Sequence, residues 1–149
     1  MKLCMTNTVF TEVKHGSPLY DEVVALRDAL LRKPLGMQFT PEQLAAEAAY
    51  FHFALLADGK PVACLMLVPH EEGQLQMKQV AVSAELQGSG LGARLTAAAE
   101  EWAKDNGYSY MFCHARDTAV PFYERQGYTI DKAPFTEVGI PHRYMYKQL

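Results

Sequence analysis

The sequence predicts a single α/β domain, residues 1–149, built around a mixed β-sheet. Strand-like apolar segments alternate with helical segments along the chain. Two early apolar segments are joined by a tight turn, which predicts antiparallel pairing, whereas later ones are separated by helices, which predicts parallel pairing. Hydrophobic residues make up 49% of the chain, enough for a core beneath helices on both faces of the sheet. We therefore expect a three-layer arrangement.

The first third of the chain predicts one strand and two helices. Thr8–Val13 has the pattern of a short edge strand. Ser17 followed by Pro18 is typical of a helix start and predicts a helix over Leu19–Leu31. Thr40, with a glutamine three residues later, matches a capping box and predicts a second, short helix.

The middle of the chain predicts three strands and the clearest helix. Phe51–Ala57 and Val62–Val68 flank an Asp-Gly turn and form a predicted hairpin. Leu75–Val82 is the third strand. Leu91–Asn106 is rich in Ala and Leu and ends at Gly107, a typical C-cap glycine.

The last third predicts one buried strand, one short helix and two late strands. Tyr108–Cys113 is the strand and Thr118–Gln126 the helix. Tyr128–Asp131 and Tyr144–Lys147 are the late strands, separated by a predicted loop over residues 132–143 that contains two prolines and a glycine.

Composition excludes several classes of protein. Fourteen Lys and Arg against seventeen Asp and Glu give a formal charge of −3, which argues against a nucleic-acid partner. No apolar run is long enough to span a bilayer, and no secretory signal is recognised, so we expect a cytoplasmic protein with no membrane partner. Three scattered cysteines and five scattered histidines indicate neither a disulfide framework nor a metal site.

A glycine-rich loop between the third strand and the long helix is the strongest local motif. Glycines allow a tight turn and close approach to a ligand, and free N–H groups at a helix start favour an anion such as phosphate. A strand-to-helix turn without a ligand is the plain alternative. The residues concerned are Gln87, Gly88, Ser89, Gly90, Leu91, Gly92 and Ala93.

The same loop also satisfies a loose dinucleotide fingerprint, Gly88-x-Gly90-x-x-Ala93. However, it follows an antiparallel meander, and no second mononucleotide half remains. The acidic residue expected about 20 positions later is absent, because Cys113 and His114 occupy that place. A nicotinamide site is therefore disfavoured.

Two motifs in order resemble the GNAT superfamily of N-acetyltransferases. Gln87-x-x-Gly90-x-Gly92 resembles its pyrophosphate-binding motif, and residues 119–128 resemble its A-x-x-FY-x-x-x-G-F/Y segment. Residues 26–36 and 139–142 look like the small bacterial ElaA-like branch, whose substrates are poorly defined.

The resemblance implies a fold and a co-substrate. Acetyl-CoA would lie where two parallel strands splay, near Val82 and His114. The strand residues Val80, Ala81 and Val82 would pair with the pantetheine arm, and the N–H groups of Gly88 to Ala93 would hold the pyrophosphate.

The resemblance also implies direct attack of an amine on the thioester in a ternary complex. Tyr123 would then be the general acid that protonates the departing CoA thiolate. No carboxylate stands at the positions where related branches carry a base, which here are Met111 and either Gln79 or the neighbouring Lys78. His114 and His142 are the candidate bases, since histidine titrates in the required range, and proton loss to water is the alternative.

Recognition of the acceptor is expected from the first helices and the loop over residues 135–143. Arg27 and His142 are candidate acceptor-binding residues. Arg116 stands where many members have an asparagine, so it is expected to contact CoA or the acceptor. The acceptor is a small-molecule or peptide amine, and the late strands leave a homodimer open.

Two other functions stay open at this point. A catalytically silent acetyl-CoA-binding or sensing protein would keep the glycine loop but lack turnover, and the intact Tyr123 argues against it. A structural or interaction domain would have a degraded glycine loop, whereas the loop here is complete.

Overall fold

A computed structural model describes residues 7–149, so Cys4 lies outside the described residues. The described residues form seven strands in one mixed sheet, in the order β1-β2-β3-β4-β5-β7-β6, with four α-helices. The strands are β1 Thr8–Val13, β2 Phe51–Ala57, β3 Lys60–Pro69, β4 Gln74–Val82, β5 Tyr110–Arg116, β6 Thr129–Glu137 and β7 Ile140–Gln148. The helices are α1 Pro18–Arg27, α2 Pro41–Ala46, α3 Leu91–Asp105 and α4 Val120–Glu124.

The chain divides into two compact units. The first contains the described chain up to Leu67 together with Gln79–Ala99, and the second contains Val68–Lys78 and Glu100–Leu149. Strand β4 and helix α3 each contribute residues to both units.

The first unit begins with the antiparallel ladders β1–β2 and β2–β3, of which the sequence predicts the second. Asp58 and Gly59 link β2 to β3 with φ angles of 51° and 76°. A two-residue turn with both φ angles positive matches the right-handed twist of the flanking strands. This local geometry explains why an Asp-Gly pair between two apolar runs predicted the hairpin correctly.

The second unit contains the parallel pairing. Strands β4 and β5 are parallel from Gln74/Tyr110 to Met77/Cys113, and β7 pairs antiparallel with both β5 and β6. The β4–β5 ladder ends at Met77 and Cys113, although both strands continue.

Both predicted helix starts are confirmed. The Ser17 hydroxyl accepts from the Tyr20 N–H at 3.1 Å, with Pro18 in the first turn of α1. Thr40 and Gln43 form the complete capping box of α2. Each start depends on side chains within four residues of the cap, which a single sequence can reveal.

The predicted end of the first helix is wrong. The α-helix over Pro18–Arg27 changes into a π-helical turn over Asp28–Arg32, in which the Lys33 N–H donates to the Asp28 carbonyl. A 3₁₀ turn follows and ends at Gly36, whose φ is 68°. Hydrophobic spacing alone does not distinguish an i→i+5 turn from an α-helix over so short a segment.

The predicted loop over residues 132–143 is also wrong, because most of it is strand. Strand β6 extends through Pro134 to Glu137, and β7 begins at Ile140. Proline is tolerated because β6 is the edge strand and its register shifts between Asp131 and Phe135.

Other predicted boundaries move by a few residues, including those of β3, which extends over Lys60–Pro69. Strand β5 begins at Tyr110 and continues to Arg116, and α3 ends at Asp105. The predicted helix over residues 118–126 is a 3₁₀ turn, Asp117–Ala119, followed by the short α4.

Each unit has its own buried apolar residues. In the first, the small side chains of Ala54, Cys64 and Ala81 pack with Val13, Tyr20 and Val23. In the second, Met111, Cys113 and Met145 are almost fully buried. Among the described residues, no helix is both long and apolar enough to cross a membrane.

Candidate active site

The glycine loop takes backbone conformations that only glycine adopts easily. Gly88 and Gly90 have φ angles of 82° and 88°, in the left-handed region. The Gln87 side-chain amide donates to the Val82 carbonyl at 3.0 Å and so ties the loop to the end of β4. Ser89 turns inward, because both its hydroxyl and its N–H donate to the Leu86 carbonyl.

This loop leads directly into α3. The first N–H groups of a helix have no carbonyl four residues earlier within the helix to bond to. The first bond of the helix runs from the Arg94 N–H to the Gly90 carbonyl at 3.1 Å. The N–H groups of Leu91, Gly92 and Ala93 therefore form the positive end of the helix dipole. No acidic residue lies in the first turn. The loop thus fits an anionic group such as a pyrophosphate.

Strand β4 has an irregular conformation just before the predicted cofactor strand. Gln79 has a φ of 57°, which is rare for a residue with a side chain, and its Oε1 is buried without a hydrogen-bond partner. The three residues predicted to face the cofactor follow directly. Ala81 is buried, whereas Val80 and Val82 are half-buried.

Tyr123 lies on α4 and is buried. Its ring packs edge-to-face against Phe122 and Tyr128, with ring centroids 5.0 and 5.6 Å away. Burial, with a smaller effect of Cys113, raises the pKa of the Tyr123 phenol well above its usual value. The hydroxyl therefore stays protonated at neutral pH and is able to donate a proton or a hydrogen bond.

A polar network fixes the turn that follows α4. The Lys147 ammonium donates to Glu100 Oε1 and to the Gln126 carbonyl, both at 2.8 Å. The Tyr128 hydroxyl donates to Glu100 Oε2 at 2.9 Å, and the Tyr128 N–H donates to the Tyr123 carbonyl at 3.1 Å. These bonds hold the backbone at Tyr123 in place.

The two predicted histidines meet at one carboxylate, that of Glu137. His114 Nδ1 lies 3.1 Å from Glu137 Oε1, and His142 Nε2 lies 3.8 Å from Oε2 of the same residue. Phe135 packs against both rings, edge-to-face on His114 at 5.0 Å and stacked on His142 at 5.8 Å. The structure thus brings together residues that are 28 positions apart in the sequence.

Register explains this arrangement. In the β5–β7 ladder His114 is opposite Tyr144 and Arg116 is opposite His142, while in β6–β7 Phe135 is opposite His142. Directly opposed residues share a face of the sheet. Arg116 is therefore on the same face as both histidines.

Sequence reasoning missed Glu137, because it lay in a segment predicted to be a loop. The sequence does contain one indication of a hairpin, the Val138-Gly139 pair. In the structure these two residues form the tight β6–β7 turn, with φ angles of 46° and 72°. Had that hairpin been recognised, the register would have placed Glu137 close to both strands.

Arg27, predicted to contact the acceptor, is buried and bonded to a carboxylate of its own unit. Its terminal nitrogens donate to both oxygens of Glu47 at 2.7 and 2.6 Å, and the Tyr20 hydroxyl donates to the same carboxylate at 2.7 Å. Burial alone would raise the pKa of the Glu47 carboxyl, but these hydrogen bonds and the charge of Arg27 hold it below its usual value. Glu47 was not singled out from the sequence.

Arg27 and Arg32 share one aromatic partner. Their guanidinium groups lie 4.5 and 4.7 Å from the centre of the Phe39 ring. Residues five apart diverge in an α-helix, but the π-helical turn between them closes that angle. Within residues 7–149, no cluster of three or more His, Cys, Asp or Glu side chains could hold a metal ion.

Comparison with known sequences identifies the family. The family model described as an acetyltransferase (GNAT) domain matches residues 26–149. A relative in Bacillus subtilis, named as an uncharacterized N-acetyltransferase, YjcF, is 32% identical over 78 residues. That match covers 52% of this chain and 56% of YjcF, so the chain spans about half the length of this curated relative.

Solved structures show the same fold. A candidate N-acetyltransferase of Lactobacillus plantarum is 28% identical, with a TM-score of 0.82 over 95% of this chain and 99% of that one. Escherichia coli ElaA has a TM-score of 0.78 at 19% identity, over 94% and 99% of the two chains. A GNAT family acetyltransferase from Elizabethkingia anophelis with acetyl-CoA bound has a TM-score of 0.74 at 17% identity, over 96% and 99%. The chain, with its glycine loop and mixed sheet, belongs to the GNAT acetyltransferase family.

Proposed function

We propose that the protein transfers an acetyl group from acetyl-CoA to a primary amine of a small molecule or a peptide. The observation that carries this proposal is the loop between β4 and α3, where Gly88 and Gly90 take left-handed conformations at the start of a helix. In a GNAT chain, this loop is the natural place for the pyrophosphate of CoA.

The co-substrate would be held chiefly by backbone groups. The N–H groups from Gly88 to Ala93 would bind the pyrophosphate. The backbone of Val80 and Val82, following the irregular Gln79, would pair with the pantetheine arm in the manner of an added strand. Arg116, half-buried at the end of β5, would add a positive charge for CoA or the acceptor.

The reaction would be a direct transfer. The neutral amine attacks the thioester carbonyl, a C–N bond forms, the C–S bond breaks and the CoA thiolate leaves. Three protons must move: the ammonium group gives one to a base before the attack, the nitrogen loses a second as the amide forms, and the thiolate gains one. Tyr123, which stays protonated, would be the donor to the thiolate, and His114 and His142 are the candidate bases.

The acceptor contact expected of Arg27 is not part of this proposal. Both terminal nitrogens of Arg27 are engaged by Glu47, so an acceptor carboxylate would have to displace a buried ion pair.

A thermal melt tests the co-substrate first. The protein is heated with acetyl-CoA, CoA, NADH or buffer alone. A ligand at about 100 times its Kd adds about 2.7 kcal/mol, a shift of a few degrees for a domain of this size. We expect acetyl-CoA and CoA to raise Tm and NADH to leave it unchanged. No shift at saturating acetyl-CoA would refute the proposal.

An amine panel then tests the reaction. A blocked lysine peptide, 1,4-diaminobutane and 2-phenylethylamine are each supplied with acetyl-CoA, and release of the CoA thiol is followed. Thiol release that depends on the amine supports acetyl transfer. Binding of acetyl-CoA with no release for any amine class would favour the silent binding protein instead.

A further inference from the structure

We propose that His114 is the base that deprotonates the acceptor amine and that Glu137 is the positioning residue that prepares it. This inference rests on the proposed function and deepens it, because the sequence left His114, His142 and water as equal alternatives. The contacts that support it all lie among β5, β6 and β7 in the second unit.

The contact to Glu137 determines which nitrogen of His114 carries the proton. An ionised carboxylate can only accept, so the 3.1 Å contact requires that His114 Nδ1–H donates to Glu137 Oε1. The neutral ring then has its lone pair on Nε2. The side chain is 31% exposed, so part of the ring is open to solvent. A carboxylate on one nitrogen and a lone pair on the other is the arrangement that a general base needs.

His142 is held differently and does not suit the role. Its Nδ1 lies 2.7 Å from the Ile140 carbonyl, which can only accept, so Nδ1 carries a proton. Its other nitrogen, Nε2, is directed at Glu137 Oε2, and only 6% of the side chain is exposed. Both nitrogens of His142 are therefore oriented toward groups of the protein, which leaves none for a substrate.

The β6–β7 turn places the Glu137 carboxylate beside the two histidines. Glu137 is the last residue of β6, directly before Val138 and Gly139, and it is opposite Ile140 in the ladder. Phe135, two residues earlier on the same face, packs against both imidazole rings and limits their rotation. The pair is thus held by strand geometry on three neighbouring strands.

Other charged and titratable groups lie on the same face of the sheet as His114. On its own strand the same face carries Arg116. From β7 come Tyr144, with ring centroids 6.2 Å apart, and His142. From β6 and its bulge come Glu137, Asp131 and Lys132, whose ammonium lies 4.1 Å from the Tyr144 ring centre. Glu137 is the one that contacts the His114 ring through an ionic hydrogen bond.

The proton balance is simple. His114 Nε2 takes one proton from the ammonium group, and the resulting imidazolium donates from Nδ1 to the Glu137 carboxylate, which stabilises the new charge. As the amide forms, the attacking nitrogen loses its second proton, which balances the proton that the thiolate takes from Tyr123. The proton on His114 Nε2 returns to solvent. Glu137 stays ionised throughout and touches neither substrate nor thioester.

The first test observes the ring directly and needs no acceptor. A two-bond ¹⁵N–¹H correlation spectrum of the imidazoles, recorded where the rings are neutral, distinguishes the two tautomers. We expect the Nδ1–H form for His114 in the wild type and a loss of that form in Glu137→Ala. The control is Glu101→Gln, which removes one negative charge from an exposed position of α3. The Nε2–H form in the wild-type protein would overturn the inference.

The second test is the pH profile of kcat/KM, measured with the most active amine of the panel. His114→Gln should lower kcat/KM about 100-fold near pH 7, with the deficit shrinking above about pH 9, where the free amine needs no base. Glu137→Ala should lower kcat/KM only about 10-fold near pH 7, with the same dependence on pH. The double variant should be no worse than His114→Gln, because Glu137 acts only through His114.

The outcomes separate this inference from the proposed function. If acetyl-CoA binds and the amine is acetylated, but Glu137→Ala behaves as Glu101→Gln does, the assignment of Glu137 fails alone. If His142→Gln rather than His114→Gln shows the pH-dependent deficit, the choice of base is wrong. If acetyl-CoA does not stabilise the protein at all, the proposed function and this inference fail together.

Discussion

At the scale of single residues, the most consequential side chains are charged or polar groups buried with a partner. Glu47 has 5% of its surface exposed and accepts hydrogen bonds from Arg27 and Tyr20. A buried ion pair contributes little by itself, but removing one partner leaves an uncompensated charge in the core. Tyr123 differs from these groups, because burial raises the pKa of its phenol above its usual value.

Removing the Glu47 carboxylate should destabilise the fold strongly. We expect Glu47→Leu to lower the free energy of unfolding by about 3–5 kcal/mol, because Arg27 is left charged and buried. Arg27→Met/Glu47→Leu should recover most of that loss. In urea denaturation, Glu22→Ala is the control, since its pair with Lys60 is exposed and worth less than about 1 kcal/mol. A double variant as unstable as Glu47→Leu would refute this account.

The same ion pair predicts how stability depends on pH. The pKa of Glu47 is lower in the folded protein than its usual value of 4.5, so the folded state binds this proton less readily than the unfolded state does. Its contribution is complete above the unfolded pKa and is lost as pH falls through the lower folded pKa. Below about pH 5, we expect the wild type to lose stability more steeply than Arg27→Met/Glu47→Leu. Parallel curves for the two proteins would contradict this.

Tyr123→Phe should separate binding from chemistry. The phenylalanine keeps the packing against Phe122 and Tyr128 but cannot donate a proton. We expect kcat to fall about 100-fold while the affinity for acetyl-CoA stays nearly unchanged. Steady-state kinetics and the acetyl-CoA melt give the two quantities. Undiminished kcat would remove Tyr123 from the mechanism.

At the scale of secondary-structure elements, short-range chemistry was predictable and long-range register was not. Ser17, Thr40 and Gly59 determine a helix start or a turn through contacts within a few residues, so the sequence predicts them. Glu137 owes its importance to the register of β5, β7 and β6, which depends on tertiary pairing. Judged from its local sequence alone, Pro134 indicates a loop. A strand is possible there because Pro134 lies on the edge strand.

The role of the glycine loop can be tested by making the same substitution at two glycines, one in the loop and one after α3. Gly88 and Gly107 both have positive φ, 82° and 87°, and a Cβ atom would meet nothing within 4 Å at either position. Each Gly→Ala change should therefore cost a similar backbone strain of about 1–2 kcal/mol. We expect only Gly88→Ala to weaken acetyl-CoA binding, measured by calorimetry. Equal affinities for the two variants would argue against the loop as the pyrophosphate site.

At the scale of the whole molecule, fold and family were predictable because two motifs occur in the right order along one alternating pattern. The glycine loop before α3 and the segment around Tyr123 are separated by one helix and one strand, as in the resemblance. What remained open was which side chains meet on the face shared by β5, β6 and β7. That depends on the hairpin at Val138 and Gly139, which the pattern did not reveal.

The rate at which the buried thiols react measures how often the whole protein unfolds. Cys64 and Cys113 are almost fully buried, and burial raises the pKa of both thiols to about 12. In a Cys4→Ser background, we expect both to react with a thiol reagent only as fast as the protein opens, and acetyl-CoA to slow the reaction. Labelling within seconds in the native protein would show that either thiol is accessible without unfolding.

The π-helical turn over Asp28–Arg32 affects how the sequences of relatives align with this chain. An i→i+5 turn accommodates one residue more than an α-helical turn, so this segment is equivalent to a helix with a single insertion. A relative with one residue fewer here would continue as a regular helix, and its counterparts of Arg27 and Arg32 would be four residues apart, on the same face of that helix. Loss of one residue at this point would therefore preserve the pairing of two arginines on one aromatic ring, whereas a relative of equal length with a regular α-helix here would separate them.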